Sequence, residues 1–183
     1  QKSYKEYSKV QFSYDIYKID YNIKQNIDSY YFPLSIQNNI RSSLKYIYKC
    51  NIDINHRHVC IYIICKNIND KYEDYMLIII MWINILYNFS EKECNKSLNI
   101  YLYLSDSKKM CNNVLTTENI NSGYSYGGCN DNNNIVIYRK EEWFKVLIHE
   151  SMHAFNLDFS VKNNNYINQK LNHIFPLNIP FNS

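Results

Sequence analysis

The segment from Tyr72 to Phe89, YEDYMLIIIMWINILYNF, constrains the fold more than any other part of this 183-residue chain. It is longer than an ordinary strand, and its nearly continuous apolar character predicts a helix packed against a sheet. Its neighbours supply the sheet. Val59 to Ile64, VCIYII, is short, β-branched or aromatic and bounded by polar residues, as a buried strand is. Leu98, Ile100, Leu102 and Leu104 alternate with Asn99, Tyr101 and Tyr103, the pattern of a half-buried strand. Ile135 to Tyr138 forms a further short strand, and a helix opens at Lys140-Glu141-Glu142, where acidic residues complement the helix dipole. Upstream, Pro33 followed by Ile36, Ile40, Leu44 and Ile47 predicts a helix over 34–49. Val10, Phe12, Tyr14 and Ile16 alternate like a strand before the pattern slips. The expectation is an α+β fold: a mixed sheet packed against a long backing helix and a second helix near residue 150. A boundary near Asn51 to Asn55 would set a mixed N-terminal segment, 1–55, apart from a main domain, 56–183.

The second helix carries the chemistry. Val146 to Phe155 reads VLIHESMHAF, an HExxH motif in a chain with only five histidines. With eight glutamates available, chance yields such a motif roughly 0.006 times. Histidines four apart on a helix project from one face, so His149 and His153 can hold one metal ion. Glu150 is then placed to polarise a water on the metal and shuttle its proton. The flanks support a helix, with Trp143, Leu147 and Ala154 on one stripe and Phe144, Ile148, Met152 and Phe155 on the next.

Composition narrows the alternatives. A net charge of +3 with scattered lysines argues against a nucleic-acid partner. The apolar run from Met76 to Ile83 falls short of the ~20 residues that span a bilayer, so no membrane partner is expected. Six cysteines without a CxxC pair predict reduced, intracellular thiols. Abundant Asn, Ile, Lys and Tyr suggest AT-biased coding, which would make Asn132 to Asn134 and Asn163 to Asn165 drift in surface loops. Against that bias, all three glycines, Gly123, Gly127 and Gly128, and the only alanine, Ala154, fall within 123–154, where backbone freedom or small size would be required.

The run NIVIYRKEEWFKVLIHESMHAFNLDFS, preceded by LNIYLYLSDSKKM and NINSGYSY, resembles the zinc metallopeptidases of mimivirus-like giant viruses over residues 56–175. The resemblance implies a zincin-like domain with one zinc ion, His149 and His153 as ligands and Glu150 as base. It implies hydrolysis of a peptide or protein substrate, with host cytoplasm or virion as the setting. The alternative is an inactive zincin-fold protein of the virion or host interface. Oligomeric state is not legible.

A peptidase zinc needs three protein ligands. In the pattern HExxHxxGxxH/D the glycine position is Asn156, which tolerates a left-handed turn, and the last position is Phe159, which cannot bind zinc. Asp158 and His173 are the candidates for a third ligand. No glutamate follows Glu150, and the chain starts at Gln1 without an initiator Met, so a fragment with its third ligand beyond Ser183 is expected. His56 and His58 share a face of a strand start, where exposed histidines are commoner than a second metal site. Cys129 could approach zinc as an inhibitory thiolate, and Tyr166 could stabilise an oxyanion. NIVIYR, just upstream of the motif helix, is the expected edge for pairing with an extended peptide.

Overall fold

A computed structural model describes residues 11–19, 30–69, 71–109 and 120–158. It is an α+β fold in which six strands form one mixed sheet, and three helices lie wholly within the described residues. In chain order these are β1 (Tyr14–Lys18), α1 (Leu34–Ser43), β2 (Tyr46–Ile54), β3 (Arg57–Cys65), α2 (Tyr72–Phe89), β4 (Ser97–Tyr103), β5 (Gly123–Ser125), β6 (Asn132–Ile137) and α3 (Trp143–Ala154). The sheet order is β1-β2-β3-β4-β6-β5. β3, β4 and β6 run parallel to one another, whereas β1, β2 and β5 are antiparallel to their neighbours.

The backing helix occupies its expected span. Met76, Ile79, Ile80, Ile83, Leu86 and Tyr87 are its buried residues. They meet Val59, Ile61 and Ile63 of β3 and Leu98, Ile100 and Leu102 of β4 in the larger core, which also takes Val146, Leu147, Ala154 and Phe155 from α3. So α2 and α3 share one face of the sheet. On the other face α1 contributes Ile36 and Ile40, packed with Ile64, Tyr103, Val136 and Tyr138.

Three expectations are corrected. The helix over 34–49 ends at Ser43, because Leu44 is already extended and Tyr46–Ile54 forms β2. Ser42 and Ser43 both donate to the Asn39 carbonyl, at 3.0 and 2.6 Å, offering the backbone a local alternative to further helix. The boundary near 51–55 is the tip of the β2–β3 hairpin: Tyr46↔Cys65 to Ile54↔Arg57 pair continuously, so residues before 55 belong to the same sheet. The tip itself is Asn55 and His56, both with positive φ, as a tight hairpin turn requires. His56 therefore sits in the turn and His58 on β3, and they do not share a strand face.

NIVIYR is also not an edge. β6 lies between β4 and β5 and is paired on both sides over Ile135 to Ile137, and the terminal strand is β5.

Candidate functional site

Helix α3 is held by contacts along its whole length. Trp143 stacks on Tyr75 of α2 at 4.7 Å, and Trp82 Nε1 donates to Ser151 Oγ at 2.8 Å. Val146, Leu147, Glu150, Ser151 and Ala154 are buried, and Ala154 is fully so. Its C-terminus is closed by a Schellman turn. Asn156 has φ +53, its N–H bonds the His153 carbonyl, and the Leu157 N–H reaches back to Met152 at 2.9 Å. The left-handed conformation expected of Asn156 is thus present.

That turn returns the chain toward the histidines. His149 is exposed and His153 half-buried, and their Nε2 atoms lie 3.2 Å apart. Two nitrogens bound tetrahedrally at ~2.0–2.1 Å from one zinc are separated by roughly 3.3 Å. The pair, hydrogen-bonded to each other here, is therefore at a separation that one zinc ion could also span. Asp158 bonds the other ring nitrogen of His153, Nδ1, through its carboxylate. In the neutral imidazole this contact favours the proton on Nδ1, which leaves Nε2 as the acceptor facing the shared position. Asp158 is therefore on the far side of the imidazole from that position. His173 and Tyr166 lie outside the described residues, as does Phe159. Among the described residues, no group of three His, Cys, Asp or Glu is arranged to hold a metal ion.

Glu150 points toward β5. The Ser125 hydroxyl donates to its backbone carbonyl at 3.0 Å and to Oε2 at 3.1 Å. Burial raises the Glu150 carboxyl above its ordinary value, opposed by the Ser125 hydrogen bond and by the two histidines. Gly123 makes this approach of strand and helix possible: a Cβ there would stand 2.6 Å from Val146 Cγ1 and 2.7 Å from the Val136 carbonyl oxygen. Gly127 and Gly128 meet the other need, positive φ at +36° and +78°.

The loop carrying those glycines also fixes the end of α3. The Gly128 N–H donates to the His153 carbonyl at 3.0 Å, and Asn95 and Asn133 Nδ2 both donate to that of Ala154, at 3.0 and 3.3 Å. Helix ends leave carbonyls without intrahelical partners, and this backbone N–H and these two side chains supply donors to them. Asn133 is thus a buried cap, not drift in a surface loop. Cys94 and Cys129 form a disulfide beneath this turn, so the expectation of uniformly reduced thiols is corrected, and Cys129 has no thiolate to offer a metal. The chain turn after α2 and the loop before β6 meet here, with Cα atoms 4.5 Å apart. Cys50, Cys60 and Cys65 are free.

Sequence reasoning missed Ser125 and β5 altogether, because three residues in a polar connection show no periodicity. No family model, curated protein or solved structure matches this chain. No helix among the described residues is long and apolar enough to cross a membrane.

Proposed function

We propose that this chain is a zincin-like, zinc-dependent peptidase. The observation that carries the reading is the 3.2 Å separation of the His149 and His153 Nε2 atoms, with Asp158 on the opposite nitrogen of His153. His149 and His153 would hold one zinc ion, completed by a third ligand outside the described pair. When bound, zinc supplies a Lewis acid that polarises the scissile carbonyl and makes a water acidic near neutral pH. Glu150 takes the proton from that water and returns it to the leaving amine. Its raised carboxyl suits both steps, since a base that must also act as an acid works best with a value nearer neutrality. Ser125 holds the carboxylate in place between them.

β5 replaces β6 as the strand for an extended substrate. Tyr138 N–H donates to the Ser122 carbonyl, and pairs alternate along an antiparallel ladder, so Gly123 and Ser125 direct their backbone groups away from β6. A peptide paired there would lie beside Glu150. The resemblance to giant-virus metallopeptidases supports the same reading, with a setting in host cytoplasm or virion.

The test is zinc stoichiometry and digestion of a peptide library by the native chain and by Glu150→Gln. The variant is expected to retain one zinc and lose cleavage. Failure of the native chain to bind zinc, or cleavage undiminished in Glu150→Gln, refutes the proposal.

A further inference from the structure

A second arrangement of reactive groups lies on the opposite face of the sheet from α3. There the residues of β3 that alternate with the core, His58, Cys60, Tyr62 and Ile64, face the side that α1 covers, and α1 reaches only the Ile64 end. At the hairpin end three cross-strand rows are polar: Asp53 beside His58 and Ser97, Asn51 beside Cys60, Asn99 and Asn134, and Lys49 beside Tyr62 and Tyr101. Asp53, Asn51 and His58 are exposed, and Cys60, at 9% exposure, forms the floor between them.

Within these rows the side chains are connected. Asp53 Oδ1 lies 3.1 Å from His58 Nδ1, and His58 Nε2 lies 3.3 Å from Cys60 Sγ. A carboxylate on Nδ1 fixes the proton on that nitrogen and leaves Nε2 as an acceptor facing the thiol. A nucleophile in reach of a base that a third group orients is the geometry of an activated thiol. Other groups facing the sulfur are Tyr62 and Asn51, whose Oδ1 accepts from the Cys60 thiol at 2.9 Å, so that the proton must turn from it toward His58. Burial, with the sulfur's influence, pushes Tyr62 up to about 12, so it remains a neutral hydroxyl beside the thiol. Lys49 and Tyr101 complete the surroundings, with Lys49 Nζ 5.7 Å from the centre of the Tyr62 ring.

We propose that Asp53, His58 and Cys60 form a thiol-activating relay that exchanges with a small-molecule disulfide, leaving a mixed disulfide on Cys60. The Cys60 thiol proton passes to His58 Nε2. The sulfur's electron pair then forms a bond to one sulfur of the disulfide, and the other sulfur leaves with the pair of the broken S–S bond as a thiolate. The small-molecule disulfide is the oxidant, and no further co-reactant is needed.

One feature favours exchange at sulfur over acyl transfer. Cys60 is mid-strand, paired with both β2 and β4, so its surrounding N–H groups serve the ladder and cannot form an oxyanion hole. Exchange at sulfur needs none, because the charge departs on the leaving thiolate. The mixed disulfide would also persist: Cys50, on the neighbouring strand, points into the core on the other face and cannot resolve it. An open recess of about 680 Å³, walled by Asp53, Asn55, His56, His58 and Lys96, lies at the Asp53–His58 end of the relay.

The test uses the full chain and an aromatic disulfide reagent at pH 7, with labelled cysteines located by peptide mass. Cys60 is expected to react first among Cys50, Cys60 and Cys65. His58→Gln should slow labelling of Cys60 by about tenfold or more, Asp53→Asn by less, and added imidazole should restore part of the His58→Gln rate. Both substituted side chains are exposed, and thermal melts confirm folding. Labelling at an unchanged rate in His58→Gln, or no faster at Cys60 than at Cys65, overturns the proposal.

Discussion

Replacing Gly123 by Ala tests whether the strand beside Glu150 is held at the distance described. The new Cβ would fall about 0.8 Å inside van der Waals contact with Val146 Cγ1 and about 0.7 Å inside it with the Val136 carbonyl oxygen. The first neighbour is a side chain on α3 and can turn; the second is backbone of β6 and cannot. β5 must therefore shift away from both. Overpacking of this kind costs about 1–3 kcal/mol. In a chain of this size that corresponds to a fall in Tm of roughly 2–12 °C, measured by calorimetry or circular dichroism. Val146→Ala removes one of the two clashing groups, at a cost of about 1.6 kcal/mol for the two lost methyl groups. Combined with Gly123→Ala, it should give a double variant at least about 0.5 kcal/mol more stable than the sum of the single changes. Rescue will be incomplete because the carbonyl remains. Additive single effects, or a Gly123→Ala chain as stable as the native one, would refute the claim that strand and helix are in contact through this glycine.

Reduction of the Cys94–Cys129 bridge, or Cys129→Ser, should destabilise the chain by up to about 4 kcal/mol, the loop entropy for a separation of 35 residues, read by urea denaturation with and without reductant. Asp158→Asn should leave Tm nearly unchanged yet weaken zinc binding by about 10- to 100-fold, because only the orientation of His153 is lost; competition with a chelating dye measures it. Glu150→Gln should stabilise the metal-free chain at pH 7 and lose that advantage at pH 4. The raised carboxyl contributes its stability below its unfolded value of roughly 4.3 and forfeits it as pH rises through the folded value, whereas Gln does not titrate. Melting curves at the two pH values distinguish this from a simple loss of the Ser125 hydrogen bond, which would lower Tm at both.

What could be read from the sequence was what is periodic and long. α2 was legible because an apolar segment of that length has few alternatives, and β3, β4 and β6 because their alternation or apolar runs match their burial. β2 was misread because Leu44 and Ile47 happen to continue the spacing of Ile36 and Ile40, while the serines that end α1 act through bonds to Asn39 that spacing does not reveal. His149, Glu150 and His153 stood out by motif, and the structure brings the two imidazoles together. The position of Asp158 depends on a left-handed Asn156, so its identity was visible but its bond to Nδ1 was not. Cys94–Cys129 and the caps from Asn95 and Asn133 join segments distant in sequence, and no local pattern announces them.

The closure of the α3 C-terminus has a consequence for motion. Helix ends ordinarily fray, opening and closing almost independently of the rest of the fold. Here the last carbonyls are tied to Asn133 of β6 and to two loops that are themselves covalently joined, so the end cannot unwind unless these come away. His153 thus belongs to the cooperative unit of the sheet, and the amides of Asn156 and Leu157, although outside the helix, should exchange with solvent hydrogen as slowly as core positions do. The spacing of the two imidazoles is accordingly a property of the whole domain, preserved until the domain itself unfolds.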